Sequence, residues 1–160
     1  HDALKRVSEG AREVTDNMRR IVWALGSGQD TLGDLAAYIR SSAADLMERA
    51  DLELTTEISI TTPGAKLSTD QRRHLLLMTK ELLLNVVKHA QAQRTTMLMA
   101  QENGSLRLVI TDNGVGFDTS ERIGTTSVFE RVKALNGTVD LHSAIGQGTR
   151  VTIVVPLTMV

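Results

Sequence analysis

Along residues 4–25 the apolar positions Leu4, Val7, Ala11, Val14, Met18, Ile21 and Leu25 recur at alternating steps of three and four. A seam of that spacing, flanked by Lys5, Arg6, Glu9, Arg12, Glu13, Arg19 and Arg20, predicts a helix that docks in a coiled coil or four-helix bundle. A helix packed on its own domain is the plainer alternative. Gly26-Ser27-Gly28 stops this helix and forms a joint. Asp30 or Thr31 can then cap a second helix with Leu32, Leu35, Ile39, Ala43, Leu46 and Met47 on one face.

Beyond it the period changes. Residues 54–60 alternate as Leu-Thr-Thr-Glu-Ile-Ser-Ile, a strand pattern ended by Thr62-Pro63-Gly64. Ser68 and Gln71 make a capping-box pair that opens a broadly apolar helix running to about Ala90. Residues 95–102 and 105–111 are strand-like runs joined by Asn103-Gly104, a pair suited to the positive φ angles of a two-residue hairpin turn. A Gly- and Asp-rich loop, a short helix over Val128–Leu135 ended by Asn136-Gly137, and strands at 138–143 and 150–155 linked by Gly146-Gln147-Gly148 complete the chain. Mostly antiparallel strands with separate helices predict an α+β fold, a two-layer sandwich with a mixed sheet and helices on one face. Residues 1–28 read as a stalk helix with its joint, and 29–160 as one domain.

Composition narrows the chemistry. The 160 residues include only four aromatics, Trp23, Tyr38, Phe117 and Phe129, so the core must be aliphatic and base stacking on single-stranded nucleic acid is disfavoured. A net charge of −1 offers no general attraction for nucleic acid or an anionic membrane, so an anionic ligand must be held locally. The absence of cysteine excludes disulfides and thiolate metal sites and fits a reducing compartment. No apolar run approaches the roughly 20 residues of a membrane span, and the expected location is cytoplasmic.

Three segments carry candidate chemistry. In Lys80-Glu81-Leu82-Leu83-Leu84-Asn85-Val86-Val87-Lys88-His89-Ala90, helical spacing puts Glu81, Asn85 and His89 on one face. A carboxylate and an amide oxygen one turn apart can serve Mg²⁺, directly or through water, with phosphates completing the shell, while Lys88 and His89 meet phosphate charge. A solvated polar stripe is the other reading of the same residues. In Asp112-Asn113-Gly114-Val115-Gly116-Phe117, a strand-end carboxylate is placed to accept a hydrogen bond from an exocyclic amino group, and the glycines allow close passage of the backbone to a base. In Gly146-Gln147-Gly148-Thr149, two glycines permit close approach of a ligand and the Thr149 hydroxyl can reach a base through water. Each of these last two is, alone, an ordinary glycine-rich turn.

Taken together and in this order, the three resemble the nucleotide boxes of the ATPase superfamily that groups gyrase, the Hsp90 chaperone, histidine kinases and MutL. With Met18-Arg19-Arg20-Ile21-Val22-Trp23-Ala24-Leu25 before them, they look like histidine kinases that partner LuxR-type response regulators. The resemblance implies the Bergerat fold and an ATP site between sheet and helices. It implies Asn85 as Mg²⁺ ligand, Glu81 as the acidic residue near the metal and the attacking group, Lys88 and His89 on the phosphate side, and Asp112 as adenine reader. Gly114, Gly116, Gly148 and Thr149 would complete the base pocket. The implied reaction is transfer of the γ-phosphoryl group of ATP to a histidine on a partner stalk helix, followed by a response regulator, in a homodimeric parent whose membrane anchoring is left open. This chain alone is expected to be a monomer.

The lid departs from the pattern. Arg122-Ile123-Gly124-Thr125 stands where relatives show Gly-x-Gly-Leu, so Gly124 alone matches, and the lid reads short. His1-Asp2 resembles a phosphoacceptor pair but lies on the helix next to the domain rather than on its partner, so it is read as a boundary. His74 and His142 belong to no partner pattern in the sequence and are read as surface or ordinary strand residues. Two other functions remain open: a serine kinase resembling anti-sigma factors, against which the heptad stalk argues, and a degenerate nucleotide-binding or dimerisation module.

Overall fold

The computed structural model describes residues 2–25, 30–120 and 126–158. The Gly26-Ser27-Gly28 joint, His1, and the lid residues Arg122 and Gly124 lie outside the described residues. The order is α1 (Asp2–Leu25), α2 (Leu32–Arg49), β1 (Glu53–Ser59), α3 (Thr69–Asn85), β2 (Arg94–Glu102), β3 (Ser105–Asp112), α4 (Thr126–Ala134), β4 (Thr138–Ser143) and β5 (Thr149–Pro156). The helix containing the first motif changes pitch: Val86–Ala90 forms a π-helical turn on the end of α3, closed by Gln91 in the left-handed region at φ 49°.

The helix starts follow the side-chain chemistry. Thr31 rather than Asp30 caps α2, its hydroxyl accepting from the Asp34 N–H at 3.1 Å, a contact typically worth about 1 kcal/mol. Ser68 caps α3 by accepting from the Gln71 N–H at 3.1 Å. The reciprocal half of the expected capping box is replaced, because the Gln71 amide turns to the end of β5. It donates to the Pro156 carbonyl at 3.0 Å and accepts from the Thr158 N–H at 3.2 Å.

The five strands run in the order β1-β2-β3-β5-β4, with β1 parallel to β2 and the other pairs antiparallel. Asn103 at φ 50° and Gly104 at φ 76° make the tight turn between β2 and β3. Alternation sends Met97 and Met99 of β2, Leu106, Leu108 and Ile110 of β3, and Val151, Ile153 and Val155 of β5 into the core. There they meet Leu32, Leu35 and Ile39 of α2, Leu75, Met78 and Leu82 of α3, and Val128 and Val132 of α4. Methionine takes the irregular gaps that aromatic rings fill elsewhere. The opposite face of the sheet carries Glu53, Thr55 and Glu57 of β1 and Arg94 and Thr96 of β2, all exposed.

Helix α1 behaves differently. Leu4, Val7, Val14 and Met18 are 59–75% exposed, so the part of its apolar seam from Leu4 to Met18 is turned to solvent.

Candidate functional site

The inward series Leu106, Leu108, Ile110 on β3 reaches Asp112 at its next position, so strand periodicity drives a carboxylate to the edge of the core, where it is 7% exposed. Burial pushes the Asp112 carboxyl above the usual carboxylate range, opposed by hydrogen bonds from the backbone N–H groups of Gly114 and Thr149. The Gly114 N–H lies 2.9 Å from its Oδ1.

Asp112 opens on a cavity of about 290 Å³ between α3 with its π turn and the ends of β3, β4 and β5. Leu82, Val86, Ile110, Leu141, Val151 and Phe117 form the apolar walls, while Asn85, His89, Asp112 and Thr149 bring the polar atoms. Apolar walls with a few convergent polar groups suit a flat heterocycle oriented by hydrogen bonds.

Of the residues expected to converge, Asn85, His89, Asp112, Gly116 and Thr149 line this cavity. Glu81 does not. Its carboxylate receives a hydrogen bond from the Ser127 hydroxyl at the start of α4, which ties α3 to α4. Glu81 and Asn85 remain one α-helical turn apart, so the Ser127 contact is what accounts for Glu81, while Asn85 and His89 meet on the cavity although the π turn begins between them. Lys88 is exposed and stands outside the cavity wall.

The glycines also act differently from expectation. A Cβ on Gly114 would stand 2.1 Å from the Ala90 carbonyl oxygen, one on Gly116 2.0 Å from that of Ala144, and one on Gly148 2.2 Å from that of Asp112. Their smallness lets three loops lie against one another, while Gly116 also lines the cavity. The Val115 N–H donates to the Ala90 carbonyl at 2.8 Å, and the Gly146 N–H to the Val115 carbonyl at 2.6 Å.

Two residues that the sequence reading passed over hold the same loops. Asn113 Oδ1 accepts from the N–H groups of Gln93 and Arg94, both at 2.9 Å. Ser143 Oγ accepts from the Phe117 N–H at 2.9 Å, donates to the Gly148 carbonyl at 3.0 Å, and lies 2.9 Å from Thr149 Oγ1. The signal for Ser143 was present in the strand: it follows Val139 and Leu141 at the inward positions of β4, where a third apolar residue would be expected.

Neither of the two remaining histidines lines the cavity, and each has a neighbour of its own. His74 Nδ1 lies 3.3 Å from Arg131 on α4. His142 Nε2 lies 3.0 Å from Asp140 two residues before it on the exposed face of β4. Among the described residues no group of three or more His, Cys, Asp or Glu could hold a metal ion by itself. No helix among them is long and apolar enough to cross a membrane.

A mixed five-stranded sheet covered on one face by helices, with an aspartate-based cavity at the strand ends, defines a two-layer α+β domain built around one small-molecule site. The chain belongs to the histidine kinase-, DNA gyrase B-, and HSP90-like ATPase family, whose model matches residues 70–159. Among curated proteins it is similar to the sensor histidine kinase LiaS of Bacillus subtilis, 23% identical over 96% of this chain and 47% of that protein. It is also similar to the signal transduction histidine-protein kinase/phosphatase UhpB of Salmonella typhimurium, 34% identical over 89% of this chain and 29% of that protein. The chain thus spans less than half the length of these two relatives. Among solved structures, the histidine kinase domain of the Erythrobacter litoralis EL346 blue-light activated histidine kinase superposes with a TM-score of 0.67 at 20% identity, over 82% of this chain and 66% of that one. The Acinetobacter baumannii histidine kinase AdeS superposes with a TM-score of 0.65 at 15% identity, over 98% of this chain and 83% of that one. These two likenesses concern the fold.

Proposed function

We propose that this chain is the Mg-ATP-binding part of a sensor histidine kinase that passes the γ-phosphoryl group of ATP to a histidine on a stalk helix. The observation that carries the reading is the buried Asp112 carboxylate facing the apolar cavity. A desolvated acceptor there matches an exocyclic amino group, and the apolar walls match the faces of a purine.

In the proposed reaction a histidine imidazole nitrogen attacks the γ-phosphorus. The P–N bond forms as the bond to the β,γ-bridging oxygen breaks, and ADP leaves with that oxygen. Asp112 and Thr149 hold the base, Asn85 and His89 stand on the same cavity toward the end of α3, and the chain's contribution is positioning. The donor chemistry fits Mg²⁺, with the Asn85 amide oxygen at the cavity and Glu81 one turn before it on α3, held by Ser127. When bound, the ion supplies charge neutralisation on the phosphates. The exposed apolar seam of α1 supports a second stalk helix as its partner, and through it a homodimeric parent acting on a response regulator of the LuxR type.

Calorimetric titration with a non-hydrolysable ATP analogue, with and without Mg²⁺, tests the reading. Binding is expected to be tighter with the metal and to weaken about 10- to 100-fold in Asp112→Asn. Failure to bind below millimolar concentrations, or binding indifferent to that change, would leave a degenerate module as the better description.

A further inference from the structure

We infer that Ser143 is a specificity-setting positioning residue, which fixes the Thr149 hydroxyl as a hydrogen-bond acceptor and thereby makes the cavity prefer a 6-amino over a 6-oxo purine. The inference rests on the nucleotide-site reading above and adds to it a residue outside the cavity wall.

The argument is one of hydrogen counting. A serine hydroxyl has one hydrogen and two lone pairs. Around Ser143 Oγ stand the Gly148 carbonyl at 3.0 Å, the Phe117 N–H at 2.9 Å and Thr149 Oγ1 at 2.9 Å. The carbonyl can only accept, so it takes the serine hydrogen. The amide can only donate, so it takes one lone pair. All three contacts are satisfied together only when Thr149 donates its own hydrogen into the remaining lone pair. The threonine hydrogen is then spent on Ser143, and Thr149 Oγ1 has only lone pairs left for the cavity it lines.

Asp112 is the direct cross-strand partner of Thr149 on β3 and lines the same cavity. Ionised, its carboxylate is also an acceptor only. Two adjacent acceptors suit an amino group, which brings two hydrogens, and oppose a ring oxygen in the same place. A water between them and the base carries the same polarity, since it spends its hydrogens on Asp112 and Thr149 and turns its oxygen to the base. Without Ser143 the Thr149 hydroxyl is free to rotate and donate, and half of this discrimination disappears. A site whose polar groups are left unpaired by the wrong ligand discriminates more strongly than one that relies on shape.

The test is calorimetric titration of the chain with ADP and with inosine diphosphate, which differ in the 6-position group and its ring tautomer. Wild type is expected to prefer ADP, and Ser143→Ala to shrink the ADP-to-IDP affinity ratio roughly tenfold, the loss of about 1.4 kcal/mol of discrimination. Ser143→Thr, which keeps the hydroxyl, should retain the ratio. In a Thr149→Ala background, Ser143→Ala should change the ratio no further. Equal weakening of both nucleotides by Ser143→Ala, with the ratio intact, would reduce Ser143 to a loop staple and overturn the inference. Should Ser143→Ala fail to fold, Thr149→Ala decides: IDP gains affinity if Thr149 is an acceptor, and IDP losing affinity overturns it. Wild type binding neither nucleotide would instead sink the nucleotide-site reading, whereas ADP binding weakened in Asp112→Asn keeps that reading whatever Ser143 does.

Discussion

The Ala90 carbonyl oxygen stands 2.1 Å from the place a Cβ on Gly114 would occupy, so the end of the π turn and the loop after β3 touch backbone to backbone. That contact sets how far the Asn85 and His89 side of the cavity lies from the Asp112 side. Gly114→Ala should therefore destabilise the fold by about 1–3 kcal/mol, lowering Tm by roughly 2–4 °C per kcal/mol. Gly64→Ala is the matched control, because a Cβ there meets nothing within 4 Å. Equal melting of the two variants in a thermal scan would show that the loops can part without cost.

Asp112→Asn should separate stability from binding. The folded carboxyl titrates above its unfolded value because it is buried. Such a group favours the folded state fully below its unfolded pKa and loses that contribution as pH rises through the folded pKa, so at neutral pH the charge is a burden on the fold. The amide keeps an acceptor for the Gly114 N–H. Tm at pH 7 should stay level or rise, while nucleotide affinity falls about 10- to 100-fold with the loss of a charged hydrogen bond. A lower Tm would mean that the carboxylate is needed by the fold itself.

Asn85 should report the metal. In Asn85→Ala, titration with an ATP analogue is expected to lose about tenfold of the affinity that Mg²⁺ adds, roughly 1.4 kcal/mol, with metal-free ADP binding changed much less. Equal losses under both conditions would remove Asn85 from the metal and leave it a wall residue.

The Ser127–Glu81 hydrogen bond joins α4 to α3 beside the cavity. A double-mutant cycle with Ser127→Ala and Glu81→Gln should give a coupling of about 1 kcal/mol in urea unfolding. Additive effects would mean that the two side chains do not support each other in solution.

His74 should give the fold a shallow acid sensitivity. Burial, then the neighbouring charges of Arg73 and Arg131, hold the ring below its ordinary value near 6.5, with Asp70 opposing them. A depressed folded pKa contributes stability above the unfolded value and loses it as pH falls through the folded one. Between pH 7.5 and 5 the wild type should therefore lose more Tm than His74→Asn, by a modest margin because the ring is only half-buried and solvent screens its charge. Parallel pH profiles would exclude His74 as the source of the acid sensitivity.

The sequence alone went a long way where chemistry is local. The cap at Ser68, the Asn103-Gly104 turn and the place of Asp112 at the end of a strand each depend on neighbours within a few residues, and each is found where the pattern put it. The site was less legible. Helical spacing grouped Glu81 with Asn85 and His89, but the hydroxyl of Ser127, 46 residues away, engages Glu81 outside the cavity wall. The glycines could be recognised as permissive, yet only packing showed that what approaches them is the chain's own backbone.

What the sequence determined by itself was the element order, because that follows from periodicity and turn chemistry, while the three nucleotide-type boxes came from their resemblance to a known family. What only the tertiary structure decided was which polar groups meet: Ser143 with Thr149, Ser127 with Glu81, and Arg131 with His74. The two partners in the last pairs sit on different elements, and the first pair faces across the β4–β5 turn. A hydrogen bond needs its atoms within about 3 Å, and only the closed sheet and its helices bring groups distant along the chain to that range.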